Sequence, residues 1–426
     1  MMRLANSFRN VNKNTLLILL LCCSVSSARW FTGIQQQNLN PDEVVWVAMS
    51  EFYYYRQHHR WQLFQLSQPQ TRFGYASTLN ILLDQPQMGK YIIGFVLEKT
   101  HQNPWAKQDI SFVYQLFADS KITGDLPPDQ VRSQFGDELI NSIKIIRIAS
   151  SIIGWVAISF FSLIVYQYTK NSFAASLSFA FLCFQPLFLN YFRKSMMDSF
   201  VALGILISGY LVVKILIYWQ QKSTPTLLTW WCIAGVTSAV TSSIKLNGFF
   251  LLLLPPWLTL FWFLFRKSKD QNWRSLLGQY LVFLLSFCLT FIYLEPETWH
   301  HPIQGISMLF QTRLTQQQRF FSAFGQTHFF FVPAIALVTF FRQFNVLIQL
   351  VVFALFATGV SKTIKLILQK DQKTVLLGAT VLFTLIVNSY YAQVSFDRYL
   401  IPTVVAFTFL CILGVEYLVR KLKNYV

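Results

Sequence analysis

Two adjacent carboxylates, Asp42 and Glu43, follow the first apolar run of the chain, in Leu39-Asn40-Pro41-Asp42-Glu43. A carboxylate beside a membrane surface can serve as a general base if burial or a like-charged neighbour raises its pKa. The same pair can equally cap the helix that follows it. Asp198 adds a third acid, at the end of Arg193-Lys194-Ser195-Met196-Met197-Asp198. Four cations, Lys90, Arg193, Lys245 and Arg398, could hold an anion. Lys90 follows the Pro86 to Gly89 turn and opens an apolar stretch. A lysine at a helix start near lipid headgroups suits a phosphate. Blander tasks exist for each: Arg193 can pair with Asp198, and Lys245 can snorkel to the interface.

The elements that must position these groups are membrane helices. Of 426 residues, 54% are hydrophobic and 12% charged, about half the charged fraction of a soluble domain. Apolar runs recur at the ~20 residues needed to cross a bilayer. The reading is an all-α polytopic membrane protein, one domain over 1–426, built as a bundle of about 10 transmembrane helices. Expected spans cover 15–31, 142–168, 172–190, 199–218, 227–243, 247–265, 276–294, 344–361, 374–391 and 399–419. Two external segments, 32–139 and 295–343, carry interfacial helices, among them Val44 to Tyr55 and Ile81 to Leu97. His328 to Phe341 is too short to span and reads as interfacial or re-entrant.

The net charge of +17 fits this topology without invoking nucleic acid. Lys or Arg stands at both ends of the chain and in every loop that an inside N-terminus makes cytoplasmic. Arg3, Arg9 and Lys13 precede an apolar stretch that Arg29-Trp30-Phe31 extends, the pattern of an uncleaved signal-anchor. All six cysteines lie in apolar spans, which argues against a disulfide framework or a zinc site. No metal and no cofactor is expected.

On this topology Asp42, Glu43, Asp84, Lys90, Arg193, Lys194, Asp198, Lys245, Glu295, Glu297, His300, His301, Asp397 and Arg398 all face the external side. Ionisable groups at membrane depth are costly and mark function. Acids for base chemistry meet cations for an anion at one surface. That combination suits a substrate with a lipid tail and a phosphate head.

The order and spacing of these motifs resemble the GT-C membrane glycosyltransferases, in the protein O-mannosyltransferase and aminoarabinose-transferase branch. Asp42-Glu43 is similar to the family's Asp-Glu after the first span. Gln85-Pro86-Gln87-Met88-Gly89-Lys90 resembles its His-Pro-Pro-Leu-Gly-Lys, with the His and second Pro replaced. Arg193 to Asp198 resembles its Arg-x-x-x-Leu-Asp, and Ser243 to Gly248 its Ser-x-Lys-x-x-Gly. Glu295-Pro296-Glu297-Thr298-Trp299-His300-His301-Pro302 resembles the start of its late external loop, and Asp397 to Pro402 its Arg-Tyr-Leu-x-Pro.

The resemblance implies transfer of a sugar from a polyprenyl-phosphate donor, without a nucleotide sugar, to an acceptor on the external face. The acceptor is a protein, a lipid or a glycan. Asp42 would match the base, Glu43 a sugar or acceptor contact, and Asp198 a second active-site acid. Lys90, Arg193, Lys245 and Arg398 would hold the lipid phosphate. The expected location is a bacterial plasma membrane with both termini cytoplasmic. Two other classes fit the residues: a transporter or flippase of lipid-linked sugar, and an inactive structural relative in a cell-envelope complex.

Overall fold

The computed structural model describes residues 13–64, 83, 85–102, 128–219, 224–265, 273–391 and 400–423. Among them every regular element is helical. Eight helices are long and apolar enough to cross a membrane: Gly136–Thr169, Asp198–Tyr218, Thr224–Ile244, Leu246–Phe265, Leu276–Leu294, Val346–Leu368, Gln372–Tyr390 and Ile401–Leu422. A helix also forms over the first apolar run, α1 (Lys13–Phe31). The expected span at 172–190 is instead two pieces, α6 (Ser172–Phe184) and α7 (Pro186–Tyr191). Pro186 lacks the N–H needed to continue the first piece and opens the second at its N1 position.

The helix expected over 142–168 begins far earlier. α5 runs Pro128–Thr169 and bends at Gly136, whose φ of 80° lies in the left-handed region. From Gly136 onward it has 34 residues, about 51 Å at 1.5 Å per residue. A bilayer core takes only ~30 Å, so one end of α5 stands clear of it.

The segments expected to lie at the interface pack one face on the protein. α2 (Pro41–Met49), α3 (Glu51–Gln57) and α4 (Gln87–Lys99) bury Val44, Trp46, Val47, Met49, Phe52, Tyr91 and Ile93. These join Ile140, Ile143 and Ile146 of α5, and Met196, Met197 and Ile244, in one apolar cluster. The layer therefore belongs to the protein core, and it ties the ends of several spans together. At Val332–Arg342, Val332, Ala336 and Phe340 are buried, and Phe340 packs on Phe407 with ring centroids 6.0 Å apart. This short helix covers the last span.

Two remaining helices approach unusually closely. In α14 (Val346–Leu368) and α16 (Ile401–Lys423), a Cβ on Gly359 would lie 1.9 Å from the Leu410 carbonyl oxygen, and one on Gly414 2.0 Å from that of Leu355. Small residues let membrane helices associate in this way. Lys362 of α14 and Arg420 of α16 both pair with the buried Glu416 farther along the same seam. Gly359→Ala is expected to cost about 1–3 kcal/mol through overpacking and to lower the thermal unfolding midpoint in detergent. An unchanged midpoint would show that the seam opens without penalty.

Candidate functional site

Arg147 is the centre of the cluster that builds the site. It is 1% exposed. Its Nε and Nη2 donate to the two oxygens of Glu43 at 2.8 and 2.6 Å, a bidentate pair. Nη1 donates to the carbonyls of Ile34 and Gln37, and Nη2 also to that of Asn38. All the guanidinium N–H groups thus have acceptors. One side chain gathers the whole connection between α1 and α2.

Glu43 is fully buried. Besides Arg147, it accepts from the Asn40 backbone N–H at 2.9 Å, and from the Ser195 N–H and hydroxyl at 2.9 and 3.2 Å. The Asn40 side chain accepts in turn from Asp42 N, which completes a capping box at the start of α2. Glu43 was expected to touch sugar or acceptor. Its oxygens accept from donors of this chain, which joins the 193–198 loop to α2.

That loop carries Asp198 as the first residue of α8 (Asp198–Tyr218). Met197 before it has a left-handed φ of 63°, a strained state for a non-glycine, and it is wholly buried. The turn aims Asp198 at Lys245, which follows α9 (Thr224–Ile244); Lys245 Nζ lies 2.6 Å from Asp198 Oδ1. The other oxygen, Oδ2, is buried with no hydrogen-bond partner among the described residues. Lys245 also lies 6.0 Å from the Trp46 ring centroid.

Trp46 and Asp42 are four residues apart on α2 and share a face. Asp42 is half-buried, one helical turn before Trp46. Gly89 seals this corner. A Cβ there would lie 2.7 Å from the Trp46 ring and 3.1 Å from the Ile244 carbonyl, so α4 comes this close only with glycine.

Lys90, next to Gly89, is fully buried with its ammonium 4.8 Å from the Phe52 ring centroid. Burial raises the Glu295 and Glu297 carboxyls above the ordinary range, and Lys90 is near enough to oppose that in part. Arg193 turns another way. Its Nε donates to Leu189 O at 2.6 Å, and its Nη1 to Trp30 O and Thr32 O at 3.0 and 2.8 Å. Those bonds anchor the loop to the end of α1. Arg398 lies outside the described residues, as do Asp84 and Asp397. Among the described residues no group of three His, Cys, Asp or Glu is placed to hold a metal.

The structure thus pairs Asp198 with Lys245 beside Trp46 of α2, while Lys90 lies buried against Phe52 near Glu295 and Glu297. Arg147 was missed by the sequence reading, which placed it inside a span. An arginine within an apolar run was the available signal.

The sequence pattern of the dolichyl-phosphate-mannose-protein mannosyltransferase family matches residues 53–301, more than half of the chain. The chain belongs to this family. The match takes in Lys90, Asp198, Lys245, Glu295 and Glu297; Asp42 and Glu43 precede it. The fold is similar to that of ArnT from Cupriavidus metallidurans. The crystal structure of ArnT bound to undecaprenyl phosphate superposes with a TM-score of 0.55 at 15% identity, covering 93% of this chain and 59% of that one. The apo crystal structure gives 0.55 at 14% identity, covering 95% and 60%. The chain spans about three fifths of the length of these ArnT chains. No curated protein matches it.

Proposed function

We propose that the protein transfers a sugar from a polyprenyl-phosphate donor to an acceptor at the membrane surface. The observation that carries this reading is the Asp198–Lys245 pair, set against Trp46 on the face of α2 that also bears Asp42. The family match and the ArnT fold support it.

Asp42 takes the proton of the attacking acceptor group. The acceptor atom bonds to the anomeric carbon of the sugar. The bond from that carbon to the phosphate oxygen breaks, and its electron pair stays on the departing polyprenyl phosphate. Lys245, with Lys90 behind it, offsets the negative charge that develops there. Asp198 orients the Lys245 ammonium and limits its motion. Glu43 and Arg147 contact no substrate; they fix Asp42 and Asp198 relative to each other.

The site end of the bundle faces away from the cytoplasm in this reading, because the basic loops and termini mark the opposite side. The test is reconstitution in lipid with polyprenyl-phosphate-linked sugars and candidate protein, lipid and glycan acceptors. Release of polyprenyl phosphate together with a glycosylated product supports the reading. Movement of intact lipid-linked sugar across the bilayer, without product, would replace it with transport.

A further inference from the structure

Helix α4 lacks a capping side chain of its own, because Pro86 occupies its N-cap. The cap comes from a residue 208 positions away. The Gln87 backbone N–H donates to both oxygens of Glu295, at 3.1 and 2.9 Å, and the Gln87 side-chain amide donates to Glu297 Oε1 at 3.3 Å. Gln87, Glu295 and Glu297 are all buried, at 0%, 0% and 4% exposure. Glu297 Oε2 is buried with no donor among the described residues. A proline at position 87, as in the motif this stretch resembles, would have no N–H to give.

We propose that Glu295 and Glu297 are positioning residues: with Gln87 they latch the start of α4, and their charge sets how strongly Lys90 is available to a lipid phosphate. This rests on the phosphate-binding task given to Lys90 above.

Among the described residues, the charged and titratable groups around the pair come from three elements. Lys90 and Tyr91 belong to α4, Arg56 to α3, and the two carboxyls to the turn Pro296–Thr298 and the residue before it. Arg56 lies over the Tyr91 ring at 4.6 Å and near Tyr293 at 5.7 Å. Burial, then the neighbouring Glu297, pushes Glu295 well above the ordinary carboxylate range, against the Gln87 N–H and Lys90. Burial also raises Glu297, against Lys90 and the Gln87 side-chain amide. Two buried carboxyls held side by side by Gln87 do not both ionise at low cost, so the pair favours keeping one proton.

With one proton the pair carries a single negative charge, which the Lys90 ammonium offsets. When that proton leaves, the pair carries two negative charges. Lys90 is then drawn to the carboxyls, and the local field opposes a phosphate. Affinity for a lipid phosphate should therefore fall as pH rises through the titration of the pair. Stability has the same sign. The folded chain binds more protons than the unfolded one between the ordinary carboxylate pKa and the raised value, so stability falls as pH rises across that window.

The test is undecaprenyl phosphate affinity from pH 5 to pH 9, in the full-length protein and in Glu295→Gln. The wild-type affinity is expected to weaken by about tenfold on loss of the shared proton, and Glu295→Gln, which keeps the shape without the charge, should remove that step. The phosphate's own titration is common to both proteins and cancels in their ratio. A pH profile in Glu295→Gln that matches the wild type overturns the proposal.

Gln87→Pro checks the latch apart from any ligand. Proline is favourable at N1, so the variant should fold, and backbone hydrogen exchange over residues 87–99 should quicken about tenfold with the cap lost. Unchanged exchange refutes the latch. Lys90→Met separates the two readings: undiminished undecaprenyl phosphate affinity there refutes the task of Lys90 under the proposed function, whatever the exchange in Gln87→Pro.

Discussion

Asp42→Asn is expected to lower sugar transfer by roughly 10²–10⁴-fold, the usual worth of a positioned general base, with little change in folding. The expectation follows from the half-buried place of Asp42 and its shared face with Trp46. Asparagine keeps the size of the side chain but cannot accept a proton at neutral pH. The backbone bond from residue 42 to Asn40 Oδ1 survives the change, so the helix cap remains. Donor affinity should stay close to wild type, because the cations that face the phosphate are untouched. The loss should therefore appear in kcat and not in KM. Transfer at the wild-type rate in Asp42→Asn would remove Asp42 from the chemistry.

Glu43→Ala is expected to damage folding more than any other change near the site. Breaking a buried ion pair by removing one partner costs about 3–5 kcal/mol, and here the Arg147 guanidinium would be left buried. The N–H groups of Ser195 and Asn40 would lose their acceptor as well, at about 1–3 kcal/mol for each buried donor left unsatisfied. Thermal unfolding in detergent should show a large fall in the midpoint, or the variant should fail to accumulate. Replacing the pair together, as Glu43→Leu with Arg147→Met, should recover only part of the loss. The carbonyls of Ile34, Gln37 and Asn38 and the Ser195 N–H would still lack partners. An unchanged midpoint in Glu43→Ala would mean that the α1–α2 connection holds itself without this carboxylate.

The helical bundle and its family were legible in the sequence, because spanning runs and basic loops are local features. The motifs at Lys90, Arg193 to Asp198 and Lys245 sit where the chain returns to one end of the bundle. What each charge does was not legible. Asp42 and Glu43 are adjacent and of one type, yet a helix turns them about 100° apart. One lies a helical turn before Trp46 and the other meets Arg147, a residue 104 positions away. Arg193 looked like a phosphate ligand, and its partners are carbonyls of α1 and α7. The proline-broken end of the 172–191 stretch was a local signal that the span count passed over. The amphipathic runs at 44–55 and 81–97 were read as surface elements, since hydropathy alone does not tell a lipid interface from a protein one.

The most direct test of the central claim is the structure of the protein with undecaprenyl phosphate bound. The account predicts the phosphate within hydrogen-bond reach of Lys245 or Lys90, on the side of α2 that bears Asp42 and Trp46. A phosphate seated at the opposite end of the bundle, by Lys362 and Arg420, would contradict it.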